Sequence, residues 1–141
     1  CKVQYYSTSG KNVNDIYSQV DLEALLSTSD VISIHSPLNE QTLNLINQSN
    51  LSQIKDKAIL LNLGRGGIVN EQDISEELDK REIYFATDVV SKEPIEKNSP
   101  LLKINNKNRI LFTPHIAWAS KEARVRLVDG IINNIKNYIN G

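Results

Sequence analysis

Ala58-Ile59-Leu60-Leu61-Asn62-Leu63-Gly64-Arg65-Gly66-Gly67 is the stretch that decides the fold. A nearly continuous apolar run ends abruptly on three glycines that flank one arginine. Shortly afterwards Asn70 reads as a helix N-cap, with Glu71 and Asp73 in the first turn, where negative charge suits the helix dipole. Ile74 and Leu78 give that helix an apolar side. Strand, tight turn and capped helix form one β-α unit. A strand that is apolar throughout, rather than alternating, is expected in a parallel sheet covered on both faces.

The same punctuation repeats outward. Upstream, Lys2 to Ser7 is rich in strand formers and Ser7 to Asn12 has loop chemistry. Asp21 to Ser27 spaces Leu22, Leu25 and Leu26 as a short amphipathic helix. Val31 to Ile34 is a short strand, stopped by Pro37, and Gln41 to Ile54 carries Leu43, Ile46, Leu51 and Ile54 with helix-like spacing. Downstream, Ile83 to Val90 is a strand and the loop after it holds Pro94 and Pro100. Arg109 to Thr113 is another strand, ended by Pro114, and Ser120 to Asn140 is a long helix striped by Ala123, Leu127, Ile131, Ile135 and Tyr138 or Ile139. Strands alternating with helices predict an α/β, doubly wound, mostly parallel sheet.

Composition narrows the function. The 141 residues suffice for one domain with a real core. Sixteen basic against seventeen acidic side chains leave a net charge of -1, which gives no electrostatic reason for a nucleic-acid or membrane partner. A single cysteine, Cys1, rules out a disulfide within these residues. No apolar run spans a bilayer, and a cytoplasmic location is the simplest expectation. Because a strand begins within two residues of Cys1, the chain is expected to be a fragment: residues 1–141 as part of a dinucleotide-binding domain, with the helix from about 120 to 141 leading back towards a further domain.

In an open parallel sheet, ligands bind beyond the carboxyl ends of the strands. The strands here end on Ser7, His35, Gly64-Arg65, Asp88 and His115. Arg65, held among glycines, could grip a carboxylate through two parallel hydrogen bonds, although an ordinary surface arginine would look the same. A lone histidine after Pro114 is more often structural than catalytic, and Glu93-Pro94 is commonly a loop feature. Together the three form a chemical set: a carboxylate beside an imidazole favours its protonated form, and a protonated imidazole can give a proton to a carbonyl oxygen. No metal site is read.

With that set in view, the sequence resembles the D-isomer-specific 2-hydroxyacid dehydrogenases. The resemblance rests on Asn62-Leu63-Gly64-Arg65-Gly66-Gly67-Ile68-Val69-Asn70-Glu71, on Asp88-Val89-Val90-Ser91-Lys92-Glu93-Pro94, on Ser99-Pro100-Leu101-Leu102, on Thr113-Pro114-His115-Ile116-Ala117-Trp118 and on the stretch from Asp30 to Leu38 with Thr42. It covers essentially the whole chain. It implies a Rossmann-like sheet and hydride transfer between NAD(P)H and a 2-oxo or 2-hydroxy acid. By that resemblance Arg65 would bind the substrate carboxylate and polarise its keto oxygen, His115 would be the acid-base, and Glu93 would orient it. Ser7, Ser36, Pro37, Thr42, the Leu63-Gly64-Arg65 turn, Asp88 and His115 would line the cofactor. Glu93 also separates the chain from formate dehydrogenases, which carry Gln there. His115-Ile116-Ala117-Trp118-Ala119-Ser120 is similar to glycerate dehydrogenases and hydroxypyruvate or glyoxylate reductases, and a homodimer is expected of the full-length parent.

Two departures matter. The phosphate-cradling Gly-x-Gly-x-x-Gly is not in these residues, nor is a substrate domain, so the fragment alone is expected to be inactive. Where the family often has Asp at the end of the strand that carries the ribose-binding residue, this chain has Ser7. NAD is expected, with NADP possible. The main alternative is a non-catalytic, dinucleotide-sensing binding module of the same fold; another Rossmann-type dehydrogenase fits the Arg turn and Glu-Pro loop less well.

Overall fold

The computed structural model describes residues 1–141. In chain order it contains β1 (Gln4–Tyr5), β2 (Ser18–Gln19), α1 (Leu22–Thr28), β3 (Val31–Ile34), α2 (Gln48–Leu51), β4 (Ile59–Asn62), α3 (Glu71–Lys80), β5 (Tyr84–Thr87), β6 (Ile110–Phe112) and α4 (Lys121–Asn140). Short 3-10 turns at Pro100–Leu102 and Lys107–Arg109 lie between β5 and β6.

β3, β4, β5 and β6 form one parallel sheet in that spatial order. Ile34 pairs with Asn62, Asn62 with Thr87 and Thr87 with Phe112, so the four strands finish level at one edge. Sequential parallel strands joined by right-handed crossovers place their connections on one face. Ile32, Ile34, Leu60 and Phe85 point to that face and join Leu26, Leu51, Ile54, Ile74, Leu78, Leu101 and Ile104 in the core. On the opposite face Val31, Ile59 and Leu111 are exposed. The Rossmann-like parallel sheet is therefore present, and within these residues it is covered on one side rather than on both.

β1 and β2 pair in parallel as a separate two-stranded sheet. A cavity of about 920 Å³ lies between this pair and β3, lined by β1, α1 and the β3 edge. The strand expected from Lys2 to Ser7 shrinks to the two residues that find a partner, and that partner, β2, carries no strand signal of its own, because Ser18 and Gln19 are poor strand formers.

The helix expected from Gln41 to Ile54 is confined to Gln48–Leu51. Asn44 adopts φ 52°, and the amides of Asn44 and Ile46 donate to Gly67 and Ile68 carbonyls at 2.7 and 3.1 Å. Tertiary pairing of this segment with the turn after β4 replaces the helical bonds, and Ile46 bridges Val69 in parallel. The apolar spacing belongs to a buried loop, with Ile46 2% exposed.

α3 begins as its sequence implies, with Asn70 Oδ1 accepting from the Gln72 and Asp73 amides, both at 3.1 Å. Its C-terminal carbonyls are met by Arg109, whose Nη1 donates to Leu78 and Arg81 oxygens at 2.8 and 2.7 Å. Asp79 ties the same end to the loop before β6 by accepting from the Asn105 and Asn106 amides. α4 is capped by Ser120, and none of its residues is buried; Leu127, Ile131, Ile135 and Ile139 lie open. No helix is long and apolar enough to cross a membrane.

Candidate active site

The site grows from the shared carboxyl edge of β4, β5 and β6. At the end of β4 the buried Asn62 folds the turn: its Oδ1 accepts from the Gly64 amide at 3.2 Å and its Nδ2 donates to the Arg65 carbonyl at 3.0 Å. Arg65 itself is exposed, with Nη1 donating to the Gly64 carbonyl at 2.9 Å. Two glycines are demanded by contact. A Cβ on Gly64 would lie 2.8 Å from the Ser36 carbonyl oxygen, and one on Gly66 would lie 2.0 Å from that of Val90. The Arg65 turn is thus wedged between the backbones that leave β3 and β5.

β5 ends on Asp88, which is 3% exposed. Its carboxylate organises the segment after β6: Oδ1 accepts from the Thr113 hydroxyl and from the Ile116 amide at 2.9 Å, and Oδ2 accepts from the Ala117 amide at 2.8 Å. Burial pushes the Asp88 carboxyl upward, but the Thr113 hydroxyl and the Ala117 and Ile116 amides outweigh it and hold it below the usual carboxylate range. The turn they shape carries His115 at φ 55°, a left-handed conformation uncommon outside glycine and held here by its surroundings. Trp118 Nε1 also donates to the His115 carbonyl at 3.0 Å.

His115 Nδ1 lies 2.8 Å from Glu93 Oε2. Glu93 reaches it from the loop after β5, whose start is fastened by the Ser91 amide donating to Glu71 Oε1 at 2.6 Å. The hydrogen bond from His115 chiefly holds the Glu93 carboxyl below its ordinary range. An ionised carboxylate only accepts, so Nδ1 bears the proton and Nε2 is left to exchange one with a ligand.

The remaining expected positions fall around this edge. His35, Ser36, Pro37, Leu63, Gly64 and Arg65 line a cavity of about 550 Å³ between the ends of β3 and β4. Ser7, Ser36 and Pro37 line the larger cavity described above. Thr42 is fully buried; its hydroxyl donates to the Pro37 carbonyl at 2.7 Å and accepts from the Asn39 amide at 2.8 Å, so it acts by shaping the loop that presents Pro37. The cavity at the ends of β3 and β4, with a glycine where any side chain would strike the Ser36 carbonyl, fits part of a dinucleotide.

The chain matches the model of the D-isomer specific 2-hydroxyacid dehydrogenase NAD binding domain over residues 1–117. It belongs to that family. It is 41% identical over 138 residues to a hydroxypyruvate reductase of Blautia hydrogenotrophica, covering 97% of this chain and 41% of the relative. It is 40% identical over 131 residues to a glycerate dehydrogenase of Methylorubrum extorquens, covering 90% and 41%. Among solved structures it resembles an acyclic imino acid reductase in complex with NADPH and D-arginine, with a TM-score of 0.85, 32% identity, and coverage of 99% and 43%. The chain therefore spans about two fifths of the length of these relatives.

Within this dehydrogenase domain, sequence reading missed three supporting residues. Asn62 had a signal, since it is a polar residue inside an apolar strand. Thr113 and Glu71 had none, because hydroxyls at strand ends and acids in first helical turns are common; only the fold places them against Asp88 and Ser91.

Proposed function

We propose that the protein containing this chain reduces a small 2-oxo acid to its 2-hydroxy acid with NAD(P)H, hydroxypyruvate or glyoxylate being favoured. The observation that carries the reading is the contact of His115 Nδ1 with Glu93 Oε2 at 2.8 Å, Glu93 lying on the loop whose start, Val90-Ser91, packs against Gly66 beside Arg65. Relatives named hydroxypyruvate reductase and glycerate dehydrogenase support the substrate class, and the family's NAD binding domain supports the cofactor.

The dihydronicotinamide, when bound, supplies the hydride to the keto carbon. His115 gives the proton from Nε2 to the keto oxygen, so the carbonyl becomes an alcohol with no net charge left on oxygen. Glu93 fixes the ring by accepting from Nδ1 and offsets the charge of the doubly protonated imidazole. Arg65 holds the substrate carboxylate and so aligns the keto group with His115. Ser36, Pro37, Leu63 and Gly64 would hold the cofactor across the strand ends, and Asp88 keeps the His115 turn in place. A homodimer in the cytoplasm goes with this reading for the full-length protein, and the 141 residues alone are expected not to turn over.

The test follows oxidation of NADH and of NADPH by hydroxypyruvate in the full-length protein beside a His115→Ala variant. Oxidation that falls by a factor of about 10² or more in the variant is expected for loss of a general acid. No oxidation of either nucleotide, with hydroxypyruvate or with glyoxylate, favours the dinucleotide-sensing module instead.

A further inference from the structure

We propose that Glu71 is a positioning residue for the proton transfer: its carboxylate, at the start of α3, fixes the Val90-Ser91 backbone and through it holds the Glu93 side chain against His115. This rests on the acid-base reading of His115 above and gives a task to a residue outside the Arg65, Glu93 and His115 set.

The contacts form an unbroken path. Glu71 Oε1 accepts from the Ser91 amide at 2.6 Å. The preceding amide, that of Val90, donates to Glu93 Oε1 at 3.4 Å, and Glu93 Oε2 meets His115 Nδ1 at 2.8 Å. Two consecutive amides are thus each turned towards a carboxylate, Val90 towards Glu93 and Ser91 towards Glu71. Their peptide planes are joined at the Val90 α-carbon by only two soft dihedrals, so fixing the Ser91 plane limits the Val90 plane as well. The same backbone is pressed from β4, since a Cβ on Gly66 would lie 2.0 Å from the Val90 carbonyl oxygen. The segment from Gly66 to Glu71 therefore grips Val90-Ser91 twice, by contact at Gly66 and by a hydrogen bond at Glu71.

The residue type suits the task. Glu71 is the first residue of α3, whose start is fixed by the Asn70 cap. Negative charge is favoured there by the helix dipole, and an ionised carboxylate offers the Ser91 amide nothing but acceptors. Glu71 is half-buried, whereas Ser91 and Glu93 are exposed. Without Glu71 the Ser91 amide can turn to water at little cost in stability, so the loss falls on the geometry of the loop rather than on the fold. Asp73, in the same helical turn, reaches the other way and accepts from the Gln48 amide at 2.9 Å.

The experiment compares Glu71→Ala, Glu71→Gln, Asp73→Ala, Glu93→Ala and the double variant Glu71→Ala with Glu93→Ala in the full-length protein. It measures kcat and KM for hydroxypyruvate, dinucleotide binding without substrate, and the denaturation midpoint. Glu71→Ala should lower kcat roughly three- to tenfold and keep KM and dinucleotide affinity within about twofold of the parent. Glu71→Gln keeps an acceptor for the Ser91 amide and should recover most of kcat. Asp73→Ala should leave kcat unchanged. In the Glu93→Ala background, Glu71→Ala should cost less than about twofold more in kcat, because the side chain it positions is gone. An unchanged kcat in Glu71→Ala, an equal loss with and without Glu93, or a loss that Glu71→Gln does not recover and that follows the denaturation midpoint overturns the proposal while the acid-base reading stands. A parent protein that oxidises neither NADH nor NADPH with hydroxypyruvate or glyoxylate overturns both.

Discussion

Gly66 packs so closely on Val90 that a Cβ at this position would sit 2.0 Å from the Val90 carbonyl oxygen and 2.5 Å from the Ser91 amide nitrogen. The obstacle is backbone, not the end of a flexible side chain. The Arg65 turn can therefore press against the exit of β5 only because residue 66 has no side chain. Gly66→Ala should cost at least ~1–3 kcal/mol, the usual range for overpacking, read as a lower denaturation midpoint. It should also raise KM more than a loss of fold accounts for, since the turn that carries Arg65 must move. An unchanged midpoint would mean that the two backbones separate freely.

Arg65 should be intolerant of its nearest chemical relative. Lysine keeps the charge but loses the planar fork that meets a carboxylate with two bonds. Arg65→Lys in the full-length protein should raise KM for the 2-oxo acid about tenfold or more while leaving dinucleotide affinity unchanged. Equal losses in dinucleotide affinity and KM would assign Arg65 to the cofactor rather than to the substrate.

Asp88 acts on His115 through the chain. Asp88→Ala strips an acceptor from the Ile116 and Ala117 amides and from the Thr113 hydroxyl, and should destabilise the domain by about 1–3 kcal/mol. Its folded carboxyl is held below the ordinary range, so the stability it contributes is present above the unfolded value, roughly 3.9, and is lost as pH falls through the lower folded value. Acid denaturation followed by circular dichroism should show a shallower pH dependence below roughly pH 4 in Asp88→Asn than in the parent. Superimposable acid limbs would exclude this linkage.

Glu93 is half exposed, and its value to stability is correspondingly small. Its lowered carboxyl keeps it ionised until well into acid, so across the neutral range it stays an acceptor for His115 Nδ1. Glu93→Gln should lower kcat about tenfold or more and move the acid limb of the pH profile of kcat, because the carboxylate whose protonation weakens the His115 Nδ1 contact is gone. A proportional fall at every pH, with the profile unmoved, would make Glu93 a packing residue only.

Much of the molecule is legible in its residues because the deciding interactions are local. The apolar run from Ala58 ending on glycines, Asn70 above a first turn of acids, and Ser120 before the long helix each solve a short-range problem of backbone hydrogen bonding. The strand ends on Arg65, Asp88 and His115 follow from the same local punctuation, and the resemblance to 2-hydroxyacid dehydrogenases rests on those stretches.

What the tertiary structure decided involves partners far apart in sequence. Gln41 to Ile54 has helical spacing, yet most of it is a loop, because Gly67 and Ile68 supply its hydrogen bonds from across the fold. Ser18 and Gln19 become a strand only because Gln4 and Tyr5 lie alongside. Asp88 is engaged by amides 28 and 29 residues away, and Glu93 meets His115 across 22 residues. A sequence records the side chains that can make such contacts. Which ones meet is settled by the parallel register of β4, β5 and β6, whose level carboxyl ends bring the three loops to one edge.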